Sequence, residues 1–187
     1  MKRIILSITG ASCSLFAVEF LKLMHKEEVE VHGIISEAGR LVLKHEMGMA
    51  VDDLTGLLEK WHDCRDFAAP MSSGSSRFDA MVVLPCSMGT LAAVANGISA
   101  NLIHRAADVT LKQKRPLVLA VRETPFNRTH LRNMLQVNDA GATIFPIMPA
   151  LYHEISSIQE AAADFAGRVA DFLGIEVAGL KRWPEGE

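Results

Sequence analysis

The chain has 187 residues, 49% apolar and 22% charged, with a formal net charge of -3, enough for one domain with a real core and without the marks of disorder or a fibrous repeat. No run of Lys and Arg forms a patch for a phosphate backbone, which argues against nucleic acid, and no apolar stretch reaches bilayer-spanning length, which argues against secretion and membrane insertion. Cys13, Cys64 and Cys86 are odd in number and widely spaced, and the histidines are scattered, so the expectation is a reducing cytoplasm, no disulfide framework and no metal.

Arg3 to Thr9 reads as a strand ending at Gly10, and Ser14 to Met24 carries apolar residues at helical spacing. Val29 to Ser36 repeats the strand signal, and Ala38 to Met47 follows as a helix with Leu41, Val42 and His45 on its stripe. Asp52 to His62 reads as another helix, and Asp66 to Arg77, with its S-S-G-S-S run, as a loop. Phe78 to Pro85 is a buried strand, Thr90 to Asn96 a helix start, and Leu102 to Lys112 a second helix. Leu117 to Val121 is the next strand, Arg128 to Asp139 a helix, and Ala142 to Ile147 the last strand. The final helix, Ser156 to Leu173, places Ile158, Ala161, Ala162, Phe165, Val169 and Phe172 on one face, with Ser156 or Ser157 as cap and Gly174 as stop. Five strands alternating with helices predict an α/β fold: a doubly wound parallel sheet, Rossmann or flavodoxin-like, with helices on both faces. It forms a single domain over residues 1–187, with a tail from about 175.

In such a sheet ligands sit at the carboxyl ends of the strands. T-G-A-S-C, Thr9 to Cys13, lies there, where free N–H groups at a helix start favour a phosphate; a plain turn at Gly10 and a cap at Ser12 account for it equally well. It lacks G-x-G-x-x-G spacing, which favours a mononucleotide over a dinucleotide. P-C-S-M-G-T, Pro85 to Thr90, repeats the geometry, and two such exits together favour a ligand over two ordinary caps. Arg122-Glu123 follows a strand and puts a cation beside a carboxylate. Arg105, Asp108 and Lys112 share a helix face, where an Asp108–Lys112 pair is the simpler account. Tyr152 and Arg168 suit a packed aromatic and a snorkelling arginine as well as a site. Ser72 to Ser76 can form a backbone nest for an anion, although a solvated loop fits its composition better.

Taken in order, T-G-A-S, S-S-G-S-S, P-C-S-M-G-T, N-L-I-H-R-A-A-D-V-T-L-K, R-E-T-P-F and P-x-x-P-A-L-Y-H resemble the UbiX-type flavin prenyltransferases over nearly the whole chain. The resemblance implies an enzyme, a transferase that joins a dimethylallyl group from dimethylallyl monophosphate to reduced FMN. The product, prenylated FMN, serves a partner decarboxylase. It implies a homo-oligomer with sites at subunit contacts, a dodecamer among the possible forms. By similarity Gly10, Ala11, Ser12, Ser36, Ser87, Met88, Gly89, Thr90 and Arg122 fall on FMN-contacting positions. Ser73, Gly74, Lys112, Tyr152 and Arg168 fall on positions that hold the prenyl phosphate, Glu123 on an acid/base position, and Glu46 on a carboxylate that reaches the site. Cys13 stands where many members carry glycine, Met88 where a small polar residue is common, and Phe67 where some have tryptophan.

The implied chemistry needs cations for the departing phosphate, for which Lys112, Arg122 and Arg168 are available. It also needs a base for the flavin ring, either Glu123 or the retained phosphate. Two other readings remain. An FMN-dependent decarboxylase of a cysteinyl substrate would resemble P-A-S-A-N-T and P-x-M-N, where this chain has Pro85 to Thr90 and Pro146 to Pro149. A non-catalytic flavin carrier would need neither Lys112 nor Glu123.

Overall fold

The computed structural model describes residues 1–151 and 154–182. Among them six strands form one sheet: β1 (Arg3–Ile8), β2 (Glu30–Ile35), β3 (Lys60–His62), β4 (Ala80–Cys86), β5 (Leu117–Val121) and β6 (Thr143–Ile144). Their order is β3-β2-β1-β4-β5-β6, and every neighbouring pair is parallel. The order reverses between β1 and β4, so the chain winds outwards from that seam in both directions, leaving a crevice at its carboxyl end. Helices α1 (Ser14–Lys26), α2 (Glu37–Met47) and α6 (Ile158–Phe172) cover one face. Helices α3 (Met88–Ala95), α4 (Leu102–Lys112) and α5 (Arg128–Asp139) cover the other.

The central strands β4 and β5 are apolar throughout, and β1 largely so, because both their faces are covered. Ile4, Leu6 and Ile8 of β1 enter the first core and Ile5 the second; β4 sends Ala80, Val82 and Leu84 one way and Met81, Val83 and Cys86 the other. In the first core the Phe165 ring meets Phe16 edge-on at 5.5 Å and Phe145 at 5.4 Å, contacts worth about 0.5–1.5 kcal/mol each beyond their buried area.

Asp52 to His62, expected as a helix, is a 3-10 turn over Val51–Leu57 followed by β3. Two adjacent acids and Gly56 interrupt any helical stripe there. Gly33 in β2 makes room for β3 to dock, since a Cβ at that position would lie 2.4 Å from the Trp61 ring. The last strand is shorter than expected, but Phe145 and Ile147 continue to donate to Leu119 and Val121 at 2.9 and 3.0 Å, on either side of Pro146. In α2 the stripe faces the other way: Gly39 and Leu43 are buried while Leu41 is 65% exposed. A Cβ on Gly39 would approach the Ile8 carbonyl oxygen to 2.7 Å, so this helix packs through a glycine that an apolar count overlooks. On α6 the buried face is narrower than expected, since Ile158 and Phe172 are exposed; Ser157 is its cap, accepting from the Glu160 N–H at 3.1 Å.

No helix among the described residues is long and apolar enough to cross a membrane. At the β2–β3 edge two buried histidines share a hydrogen bond of 2.9 Å between His32 Nδ1 and His62 Nε2. Beyond them His32 Nε2 meets the Glu30 carboxylate at 2.8 Å, and Arg3 closes the chain on Glu30 at 2.6 Å. Burial, then the His32 ring and Lys60, push His62 from 6.5 down to about 4, against a weaker upward pull from Asp66. The unfolded chain therefore takes up this proton first as pH falls. The stability from a neutral His62 is fully present above pH 6.5 and is lost as pH falls through about 4. Urea denaturation across that window should show a loss of about 1–3 kcal/mol attributable to this ring, and His62→Gln should flatten the slope by that amount.

Candidate functional site

The carboxyl ends of β1 and β4 are tied by one buried side chain. Thr9 Oγ1 donates to the Pro85 carbonyl at 2.7 Å and accepts from the Ser87 N–H at 2.8 Å, while Thr9 N also donates to Pro85 O at 3.3 Å. The two exits therefore leave the sheet together. Gly10 follows Thr9, and a Cβ on it would stand 2.5 Å from the Ala38 Cβ, so the exit of β1 lies directly against the first turn of α2. Ser36 caps α2 by accepting from Gly39 N at 3.0 Å, and Ser87 caps α3 by accepting from Thr90 N at 3.3 Å. Above α3 a Cβ on Gly89 would meet nothing within 4 Å. Gly10, Ala11, Ser12, Ser36, Ser87, Met88, Gly89 and Thr90 thus come together around one seam.

The start of α1, where the sequence favours a phosphate, is occupied by a carboxylate of the protein itself. Glu46, near the end of α2, accepts from Cys13 N at 3.2 Å with each oxygen and from Ser14 N at 2.8 Å. Burial alone would raise this carboxyl, but bonds from the Ser12 hydroxyl and from the Ser14 and Cys13 amides outweigh it and hold the group below its ordinary value. An internal anion thus satisfies the positive end of α1.

Arg122 leaves β5 with its N–H on the Cys86 carbonyl at 3.4 Å, and against the effect of burial its positive charge favours ionisation of the Cys13 thiol. Glu123 does not pair with it; its carboxylate accepts from Thr124 N at 2.9 Å. Two cavities flank α2. One of about 650 Å³ is lined by Ser12, Leu41, Val42, His45 and Glu46, which gives the outward apolar pair of α2 a place beside the seam. The other, about 630 Å³, lies by Ser36, Arg40, Arg65 and Asn101. Among the described residues no group of three His, Cys, Asp or Glu is placed to hold a metal.

Lys112, Ser73, Gly74 and Arg168 lie at the opposite, amino end of the sheet. Helix α4 begins beside the exit of β3, with Leu102 N on the Cys64 carbonyl at 2.8 Å, and descends 11 residues to Lys112, just before β5 starts. Asp108 pairs with Arg105 at 2.8 Å, not with Lys112 as the spacing suggested. Ser73 and Gly74 lead into the start of β4, in an ordered loop whose N–H groups are largely bonded within it. Arg168 pairs with Asp164 at 2.8 Å one turn before α6 ends. Just past that end the Leu173 and Gly174 carbonyls accept from Lys2 at 2.6 Å each, at the foot of β1. Within one chain, these residues do not meet the seam. Tyr152 lies outside the described residues. Sequence reasoning missed Thr9 as the tie between the exits; its signal is a hydroxyl directly after a largely apolar strand.

A flavoprotein family model matches residues 1–173. The chain is 43% identical to flavin prenyltransferase UbiX of Deinococcus radiodurans, over 99% of this chain and 95% of that one. The chain belongs to the flavin prenyltransferase family. Its fold superposes on a crystal structure of AnUbiX in complex with FMN and dimethylallyl pyrophosphate with a TM-score of 0.96 at 40% identity, covering 100% of this chain and 99% of that one. On a dodecameric FMN-dependent Ubix-like decarboxylase from Escherichia coli the score is 0.94 at 36% identity, with coverage of 98% and 100%.

The backbone at Cys13 is one that favours glycine. Cys13 has φ 89° and ψ 37°, a left-handed conformation that costs an L-residue roughly 1–2 kcal/mol. Its thiol is pushed up by burial, an effect Arg122 opposes and Glu46 reinforces, so at neutral pH it stays protonated and packs as a small apolar group. Cys13→Gly should stabilise the fold by about 1 kcal/mol, the relief of strain less the entropy of glycine, raising the thermal midpoint by about 2–4 °C in calorimetry.

Proposed function

We propose that this chain transfers a dimethylallyl group from dimethylallyl monophosphate to reduced FMN, and that the prenylated FMN passes to a partner decarboxylase. The observation that carries the reading is the seam: two hydroxyl-capped exits clamped by Thr9, with the Arg122 guanidinium beside them. A flavin mononucleotide fits there. The space above Gly89 and the apolar wall of Leu41 and Val42 suit a flat ring, and the first turns of α2 and α3 offer N–H groups to its phosphate. Gly10, Ala11, Ser12, Ser36, Ser87, Met88, Gly89, Thr90 and Arg122 hold it. Reduced flavin supplies the electron-rich acceptor, and a reducing cytoplasm, in keeping with three unpaired cysteines, suits it.

For the donor, the carbon–oxygen bond to phosphate breaks with its electron pair leaving on the phosphate, and cations stabilise the charge that develops. Lys112 and Arg168, with Ser73 and Gly74, hold that phosphate, as does Tyr152, while Arg122 lies between the two ligands. Since Lys112, Arg168, Ser73 and Gly74 sit at the amino end, the site is completed between copies, the carboxyl edge of one against the amino edge of another. Such a head-to-tail contact closes into a ring or shell, in line with the dodecamer of the Escherichia coli neighbour. Glu46, ionised and held by α1, serves as a fixed anion. The proton lost from the ring goes to Glu123 or to the released phosphate.

The test is an anaerobic assay with reduced FMN and dimethylallyl monophosphate, or the diphosphate in parallel, reading prenylated flavin by mass. Lys112→Gln and Glu123→Gln should keep flavin binding and lose about a hundredfold or more in transfer. Unchanged turnover in both would remove the assigned roles, and a protein unable to take up FMN would remove the function.

A further inference from the structure

The S-S-G-S-S loop, soft by composition, is strapped to α4 by guanidinium groups. Arg115, just past the end of α4, donates from Nη2 to the Gly74 carbonyl at 3.0 Å and from Nη1 to the Ser76 carbonyl at 2.9 Å. Arg105 donates to the Ser72 carbonyl at 3.0 Å. Carbonyls 72, 74 and 76 all turn inward, and exposure alternates accordingly: Ser73 and Ser75 are exposed while Ser72, Gly74 and Ser76 are half-buried. In a trans peptide the N–H points opposite to the C=O. Fixing the Gly74 carbonyl on Arg115 therefore aims the Ser75 N–H outward, where it meets Ser73 Oγ at 3.4 Å, and the Ser73 and Ser75 hydroxyls lie 2.8 Å apart on that outer side. Gly74 itself presses on α4, since a Cβ on it would stand 2.5 Å from Gln113 Nε2. Lys112 is exposed in the same turn.

We propose that Arg115 is a positioning residue for the donor phosphate. It never touches the ligand, but it turns the Gly74–Ser75 peptide so that one N–H and two hydroxyls face outward on a loop that packs against Gln113, the neighbour of Lys112. This rests on the reading that the loop and Lys112 receive the phosphate of the prenyl donor. A flexible serine loop would pay the cost of ordering at each binding event, whereas the guanidinium fork holds it in one shape beforehand.

The experiment is steady-state kinetics of the full chain with reduced FMN and dimethylallyl monophosphate. Arg115→Lys keeps the charge but cannot span two carbonyls. It should raise KM for the donor about tenfold, the loss of one charge-assisted bond, with kcat at saturating donor, KM for FMN and the thermal midpoint close to wild type. Arg115→Ala should show a larger rise that added guanidinium ion reverses and ammonium ion does not. Ser73→Ala and Lys112→Gln run alongside. Should these two raise the donor KM while Arg115→Lys leaves it unchanged, the positioning role is overturned and the donor site stands. Should neither move it, the donor-site reading itself falls. A rise in both KM values with a drop in thermal midpoint would make Arg115 a general structural residue and also overturn the proposal.

Discussion

The structure depends on the Thr9 hydroxyl, which donates to the exit of β4 and accepts from the residue after it. The paired register of β1 and β4 ends at Ser7 and Val83, beyond which the chains turn to opposite faces, so the two exits need a further tie past the last paired residues. Thr9 does so from a buried position, where its hydrogen bonds avoid competition from water. From that tie follow the close approach of Gly10 to α2, the shared origin of α1 and α3, and the narrow seam between Ser12 and Ser87. A valine at position 9 would keep the shape of the strand and strand both the Ser87 N–H and the alignment of the exits.

The second constraint is electrostatic. A helix start that points at an open crevice attracts an anion, and here α2 supplies one through Glu46. The same carboxylate binds Cys13 N, so it also holds the one residue of the turn whose backbone is left-handed. Strain of that kind persists where neighbouring bonds over-determine it. With α1 already satisfied, and α2 carrying Glu37 in its first turn, α3 is the helix start at the seam with no acidic residue of its own, which narrows where a ligand phosphate can be received.

Much of this was legible in the chain. Strands buried on both faces appear as short runs rich in apolar residues, so β1, β2, β4 and β5 could be read directly, and the limits of α4 and α5 coincide with the spacing. Both exits were visible because hydroxyls and glycine follow those runs. What escaped depended on shape. The three residues of β3 carry no period of their own, and their docking is written in Gly33 of another strand. The buried face of α2 rests on Gly39, which no apolar count registers, and the stripe of Leu41, Val42 and His45 lines a cavity instead. Glu46 in the cradle of α1 and Arg105 with Asp108 are choices among partners that spacing leaves open.

Distance within the chain bears most directly on chemistry. Helix α4 alone spans 11 residues, about 16 Å of rise, between the end of the sheet where Ser36 and Ser87 sit and the end where Lys112 sits. No lysine side chain covers that gap, and the Arg168 pairing near the foot of β1 places a second cation at the same remote end. If these cations and the seam serve one reaction, the fold cannot deliver them together by any hinge of its own, because the strands between them are the rigid core. A second copy would bring them together without disturbing that core. Assembly would then be part of the active site itself, and protein concentration would enter the rate law of transfer while flavin binding at the seam stayed largely independent of it.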